Sequence, residues 1–572
     1  MRQEDLLREQ VDITEKDTKR NCVDSSNRGA VLMLQGTASD VGKSVIVTAL
    51  CRIFVQDGIR TAPYKSQNMA LNSYVTADGR EIGRAQGVQA EACGIEASTD
   101  MNPVLIKPTG DMHSQIVVHG KPYQHLSAMK YREEFLPVAQ PIVMEALNRL
   151  RDEYDLVVLE GAGSPAEINL KQRDIVNMNL AGWAEAPVIL VGDIDRGGVF
   201  AFLVGTLELL EPEERARVKG FIINKFRGDL ELLRPGLDWL EQRTGIPVLG
   251  VLPFLPDMEI EAEDSVILDS YASMPKQGRD IDIAVIRYPR ISNFTDFDML
   301  DAEPDVSVRY VQRAAELGEP DVIILPGSKD TISDLAFLRE QGLDGAIEQY
   351  MESSTHSQLV GICGGYQMLG DVLLDPEAVE SGKVNQSRGL GWLPLRTTFL
   401  PGKKTIRTAG HVLPDAPLHL YSTEPIIPVG GYEIHSGETV YSSQAGCVLE
   451  SSNSDTVVNS NDVTRSTASR EKEATSLFLV QSVDGEERME GVCRIDGRVF
   501  GTYLHGLFNS DSYRRAWLDG IRQAKGLEPL ATTFSAAVRR EIAFDRLADH
   551  VRGHLDMDQI YEIADLPKNP QF

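Results

Sequence analysis

From Ala30 to about Pro256 short apolar runs recur, each closed by Gly, Asp, Asn or Pro and separated by longer stretches of helical period. The runs are AVLMLQG, IRTAPYK, YDLVVLEGAG, APVILVGDID, VKGFIINKF and IPVLGVLPF. Runs that are apolar on both faces suit strands buried from both sides, and their alternation with helices predicts a parallel sheet. Ligands of such sheets gather at the C-terminal ends of the strands. A second series starts at IDIAVIRYP, just after residue 280, and continues through PDVIILPGSKD, SQLVGICGGYQMLG and GRVFGTYLHGLF. The predicted class is α/β, with two doubly wound, mainly parallel-sheet domains.

The remaining stretches set the boundaries. Residues 1–29 are a polar tail, 30–256 the first domain and 257–280 an acidic, turn-rich linker. Residues 281–525 form the second domain, and 526–572 a C-terminal helical segment. Residues 451–476, rich in Ser, Asn, Thr and charge without an apolar period, read as a disordered insertion.

Composition narrows the function classes. A chain of 572 residues with 42% hydrophobic and 25% charged positions exceeds a single core and fits a globular protein rather than a disordered one. The N-terminus has no apolar h-region, so neither a signal peptide nor an anchor is expected, no run suits a membrane span, and the expected compartment is the cytoplasm. A net charge of -28 repels phosphodiester backbones, which argues against nucleic acid as a partner. The six cysteines are scattered, without zinc-ligand pairing or the density of a disulfide framework.

The stretch GTASDVGKS follows the first apolar run and precedes a helical one. Five residues separate Gly36 from Gly42, one more than the strict phosphate-loop pattern allows, and Thr37 stands where glycine is expected. The physical requirement is still met: a loop of backbone N–H groups, a helix N-terminus, Lys43 for phosphate charge and Ser44 for a magnesium ion. The other reading is a glycine-rich turn before a helix. Glu160 closes a buried run and could share magnesium with Ser44, or else cap a helix. Asp193 and Asp195 are similar candidates. Lys65 and Arg196 could hold phosphate or substrate carboxylates, or remain solvated.

In the second domain Cys363 stands between an apolar strand and Gly364–Gly365, the arrangement of a nucleophile elbow, which predicts a strained, exposed thiol at a helix N-terminus. A buried structural cysteine is the alternative. Its base would be His505 or His435, both in strand-end stretches. Gly327 closes another strand, and its N–H with that of Gly364 could form an oxyanion hole, or it could be a surface turn.

These stretches carry a family resemblance. GTASDVGKS resembles the modified phosphate loop of the dethiobiotin synthetase-like ATPases, a P-loop NTPase-like class that includes the corrinoid amide synthases. YKSQNMALNSYVT, LEGAGSPAEINL and VGDIDRGGVFA resemble the cobyric acid synthase branch. The segments around Cys363, His435 and His505 resemble the class I amidotransferase domain of the cobyrinate and cobyric acid type. The resemblance implies ATP and magnesium, no tightly bound prosthetic group, Asn224 against adenine, His505 as the base and Glu433 within a family signature.

It also implies glutamine as nitrogen donor, and amidation of adenosylcobyrinic acid a,c-diamide at its b, d, e and g carboxylates. Class I domains follow the histidine with Pro-Glu, whereas here Gly506, Leu507 and Phe508 follow, so the expectation is a Cys–His dyad with its orienting group unassigned. A polyanionic corrinoid needs local basic charge, for which Lys65, Arg84, Lys107 and Arg196 are candidates. SNFTDFDML, residues 292–300, is family-like and expected at the surface where the domains meet. The a,c-diamide synthase is the related alternative, and a partition-type ATPase switch the alternative from another class. Oligomeric state is left open.

Overall fold

Six of the apolar runs form one sheet. In the computed structural model they are β1 (Ala30–Gly36), β2 (Thr61–Tyr64), β3 (Leu156–Glu160), β4 (Val188–Asp193), β5 (Val218–Phe226) and β6 (Val248–Pro253). Their order is β6-β5-β4-β1-β3-β2, and every neighbouring pair is parallel. The structure describes residues 28–567 apart from 111–112, 172–173, 257, 262–267, 269–273, 381–383 and 443–473. The expected polar tail therefore lies outside the described residues up to 27, as do much of the expected linker and the expected insertion up to 473; Ala474–Ser476 begin a strand.

Two units make up the chain, the first from Met1–Ala70, Arg80–Glu263 and Ala537–Phe572, the second from Leu71–Gly79 and Asp264–Ala536. In the first, helix α1 (Lys43–Gln56) lays Ile46, Val47, Leu50 and Phe54 against the sheet. The C-terminal segment joins the same core: Leu547, Val551, Ile560 and Tyr561 are buried in it, and the Tyr561 ring meets Phe54 edge-on at 5.4 Å. Helical periodicity marks which face is apolar and leaves open what covers it. A second, four-stranded sheet in this unit (Gln67–Met69, Val104–Gly110, His113–Val118, Lys121–Ser127) has no counterpart in the sequence reading.

The second unit centres on β7 (Ile281–Ile286), β8 (Val306–Val311), β9 (Val322–Leu325), β10 (Gln358–Ile362) and, last in the chain, Val499–Thr502. These five are parallel, in the order β8-β7-β9-β10 and then Val499–Thr502. Beyond them the sheet continues through antiparallel strands, among them β11 (Leu395–Val412) and β12 (Pro428–Tyr441), which pair with each other. A buried charge network ties helix Asp511–Ala524 to this sheet: Arg514 Nε lies 2.7 Å from Glu303, and Arg515 lies 3.1 Å from both Glu303 and Asp305. Arg514→Met removes one member of a dry charge cluster. It is expected to cost about 3 kcal/mol or more, read as a lower urea midpoint.

No helix among the described residues is long and apolar enough to cross a membrane. Cys51, Cys93, Cys363 and Cys493 are buried free thiols.

Candidate active site

The phosphate-loop residues gather at the C-terminal end of β1. Thr37 N–H donates to the Val191 carbonyl on β4 at 3.0 Å. Gly42 caps α1 at φ 96°, and a Cβ there would lie 2.2 Å from Asn224 Nδ2, so position and neighbour both demand glycine. That Asn224 amide donates to the Val41 carbonyl at 2.8 Å, buttressing the loop from the end of β5. Lys43 Nζ donates to the carbonyls of Ala38 (3.0 Å) and Gly163 (3.2 Å), curling back over the loop.

Glu160, at the end of β3, is fully buried beside this loop. It accepts from Ser44 Oγ at 2.8 Å, Lys65 Nζ at 2.9 Å and Gln89 Nε2 at 2.7 Å, so side chains rather than a helix N-terminus take its oxygens. Gln89 was not singled out in the sequence, because a glutamine inside a helix carries no motif. The Ser44 hydroxyl and Glu160 carboxylate are adjacent hard oxygen donors, which fits magnesium completed by phosphate oxygens and water. Among the described residues no group of three or more His, Cys, Asp or Glu could hold a metal ion.

The basic candidates separate. Lys65, Arg84 and Lys107 are buried, each against a carboxylate: Glu160, Glu261 and Glu81. Their charge is thus matched by carboxylates within the unit. Arg196 differs, with a side chain 59% exposed, 3.6 Å from Asp40 and 3.8 Å from Asp193. Asp193 itself pairs with Lys225 at 2.9 Å, and Asp195 with Arg227 at 3.3 Å.

In the second unit β10 delivers Cys363 into a turn at φ 51°, ψ −106°, followed by the short helix α2 (Gly364–Met368). The turn closes because a Cβ at Gly365 would stand 1.9 Å from the Leu325 carbonyl, a contact only glycine avoids. Such strained backbone marks nucleophile elbows. Contrary to the exposed thiol expected from sequence, Cys363 is only 6% exposed, with its thiol donating to the Ile434 carbonyl at 3.7 Å. Gly327 sits beside the same centre: a Cβ on it would lie 3.2 Å from the His505 ring, and one on Gly364 would lie 2.8 Å from Ser328 N.

His505 is fully buried and held on every side. Its backbone exchanges hydrogen bonds with Tyr432 on β12 (2.8 and 3.1 Å), and the two rings stack at 5.2 Å. Nδ1 lies 2.7 Å from Asp296 Oδ2, while Asp296 Oδ1 accepts from Gly506 N–H at 2.9 Å. Nε2 faces Asn293 Nδ2 at 3.3 Å. Burial opposes a charge on this imidazole, but the Asp296 carboxylate and Cys363 outweigh it and raise the pKa to about 10.

Asp296 therefore fills the orienting position left unassigned by the sequence reading, and the stretch from 292 to 300 supplies it to this centre. Its signal was a buried-looking acid in an apolar stretch, 209 residues from His505. The rival His435 stacks on Tyr503 at 3.6 Å, with Nδ1 on the Gly437 carbonyl. Burial and Lys404 push it down to about 3, too weak a base for the task.

Comparison with known proteins bears on both centres. Residues 32–267 match the family described as the CobQ/CobB/MinD/ParA nucleotide binding domain, and residues 282–513 the CobB/CobQ-like glutamine amidotransferase domain. A protein of Geobacillus sp. (strain WCH70) named cobyric acid synthase is 51% identical over 533 residues, covering 93% of this chain and 97% of that one. Proteins of the same name from Salmonella heidelberg (strain SL476) and Dehalococcoides mccartyi (strain CBDB1) are each 49% identical. They cover 94% and 93% of this chain and 99% and 98% of their own lengths, respectively. With a phosphate loop in one unit, a cysteine elbow in the other and this degree of identity along nearly the whole chain, the chain belongs to the cobyric acid synthase family.

Proposed function

We propose that this chain uses ATP and glutamine to amidate the b, d, e and g carboxylates of adenosylcobyrinic acid a,c-diamide, giving adenosylcobyric acid. The observation that carries the reading is the Cys363–His505–Asp296 arrangement on the same chain as the Lys43–Ser44–Glu160 loop site. The Cys363 sulfur attacks the side-chain amide carbon of glutamine, and its proton rests on His505 Nε2. His505 then protonates the departing ammonia, and water, deprotonated by the same imidazole, releases glutamate from the thioester. The N–H groups of Gly327 and Gly364 receive the oxyanion.

In the first unit a corrinoid carboxylate attacks the γ-phosphoryl group of ATP, and ammonia displaces phosphate from the acyl phosphate. The loop N–H groups and Lys43 hold the phosphates, and Asn224 keeps the loop in shape beside the nucleotide base. Ser44 and Glu160 would hold magnesium, which when bound neutralises charge on the phosphate oxygens. Lys65 orients Glu160, and the exposed Arg196 receives an anionic group of the substrate. The free buried thiols and the need for ATP and glutamine support a cytoplasmic setting.

The test is incubation with ATP, magnesium, glutamine and adenosylcobyrinic acid a,c-diamide, following corrinoid mass. Stepwise carboxylate-to-amide changes are expected. Conversion of cobyrinic acid at its a and c positions instead would assign the earlier diamide synthase reaction, and ATP hydrolysis without either product would leave a nucleotide switch.

Asp296→Asn probes the orienting carboxylate. Gly506 N–H keeps the amide oxygen, so the amide N–H2 must face His505 Nδ1 and drive the ring proton to Nε2, the wrong tautomer for a base. Glutamine hydrolysis is expected to fall on the order of 10²- to 10⁴-fold, with ammonia-dependent synthesis retained. The same pair links stability to pH. Because folding raises His505 from 6.5 to about 10, its contribution is fully present below pH 6.5 and lost as pH rises through about 10. Over that window the Asp296→Asn variant should show a flatter stability profile in urea titrations at fixed pH.

A further inference from the structure

The segment Leu71–Gly79 belongs to the second unit, although the chain on either side of it belongs to the first. It touches the two residues that flank His505. Ser73 N–H donates to Asn293 Oδ1 at 2.9 Å, and the Tyr432 hydroxyl donates to the Ser73 carbonyl at 3.3 Å. Arg407 pins the next residues, its Nε donating to the Val75 carbonyl at 2.7 Å and its guanidinium lying over the Tyr74 ring at 5.2 Å. Val75 packs with Tyr432 and Ile434, and the Ile434 carbonyl is the one the Cys363 thiol reaches.

The direction of the Asn293 amide follows from these bonds. Only its oxygen can accept from Ser73 N–H, so its N–H2 is turned towards His505 Nε2, 3.3 Å away. Asp296 already occupies Nδ1. A donor facing Nε2 engages the ring's lone pair, so it works against the charge that Asp296 and Cys363 favour on this imidazole. Asn293 is 4% exposed and sits at φ 52°, a conformation that asparagine tolerates, so its surroundings define its pose.

We propose that Asn293 is a positioning residue, set by Ser73, which holds His505 Nε2 back from proton transfer with Cys363 until the Leu71–Gly79 segment shifts. The proposal rests on the glutamine-hydrolysing role assigned above to the second unit. On release the Asn293 amide turns over and offers Oδ1 to Nε2–H, and the proton on Nε2 is the one that leaves the Cys363 sulfur. The segment is continuous with strand Gln67–Met69 of the first unit, and just upstream Lys65 holds Glu160 beside the phosphate loop. Lys65 thus stands eight residues before Ser73 in the chain.

The test uses the full chain without nucleotide or corrinoid, comparing wild type, Asn293→Ala and Ser73→Pro, the last of which removes the N–H donor to Asn293 together with the Ser73 hydroxyl. Glutamine hydrolysis is measured beside iodoacetamide labelling of Cys363 across pH, read on its peptide by mass spectrometry. Both variants should hydrolyse glutamine roughly 2- to 10-fold faster, the worth of one net hydrogen bond, and their labelling midpoints should move to lower pH. The groups facing His505 are Asp296, Cys363 and Tyr432, with His435 further off, and all stay in place in both variants.

Simple loosening of the fold would raise labelling at every pH and leave the midpoint where it was, which counts against the proposal. Unchanged or slower hydrolysis with an unmoved midpoint in folded Asn293→Ala protein overturns it, and Ser73→Pro decides if that variant does not fold. A wild type that hydrolyses no glutamine even when ATP, magnesium and the corrinoid are supplied overturns the assigned role of the second unit, and the labelling midpoint alone then decides the proposal.

Discussion

Cys363→Ala protein should make no amide from glutamine, a loss of at least about 10³-fold, yet should still amidate the corrinoid when given ammonium chloride at alkaline pH. The side chain removed is the proposed nucleophile of the second unit, whereas activation of the carboxylate is assigned to the other centre. The substitution leaves the turn at φ 51° with a smaller side chain and no new clash, so the fold should survive. Glutamine hydrolysis and glutamine-dependent synthesis must fall together. If ammonia fails to rescue synthesis, the two centres are not separate steps of one reaction. If glutamine still serves, the nucleophile is another residue.

Lys43→Ala should show the opposite pattern, with synthesis lost from glutamine and ammonia alike. Lys43 Nζ donates to the carbonyls of Ala38 and Gly163, which holds it over the loop. A single preorganised donor to a transferring phosphoryl group is worth about 10²- to 10³-fold in rate. Ammonia-dependent kcat is therefore expected to drop by about that factor. The intrinsic glutaminase centre keeps all its groups, so the variant tests whether glutamine hydrolysis follows the state of the phosphate loop. A full ammonia-dependent rate in the variant would remove Lys43 from the chemistry.

Legibility followed the range of the signal. Strands β1 to β6 could be read because each is a continuous apolar run ending in a turn residue, which is what burial on both faces requires. The four-stranded sheet of the first unit could not. Its first strand, Gln67–Met69, is three residues long, and Lys121–Ser127 opens on a charge, so neither shows a period. The long ribbon of β11 and β12 was missed for a related reason: its outer positions are solvated and carry glycine and proline, which read as loop.

The sites divide the same way. The phosphate loop and the cysteine elbow are local: a handful of neighbouring residues meets the chemical need, and their backbone angles follow from their glycines. His505 was found as a histidine at a strand end, but its choice over His435 rested on resemblance. The structure separates them by burial and partner, since one has Asp296 and the other has Lys404 nearby.

By itself, then, the sequence determined the α/β class, the two series of strands, the glycine-containing loop before α1 and the turn at Cys363, because each depends on residues adjacent in the chain or on short-period burial. Only the tertiary structure decided that Asp296 orients His505, that Gln89 and Lys65 complete the Glu160 cluster, and that Lys65, Arg84 and Lys107 are matched by carboxylates. It alone returned Ala537–Phe572 to the first unit and gave Leu71–Gly79 to the second. Those pairings join residues tens to hundreds of positions apart. No local propensity encodes them; the partner of a buried charge is settled by which strands the fold brings side by side.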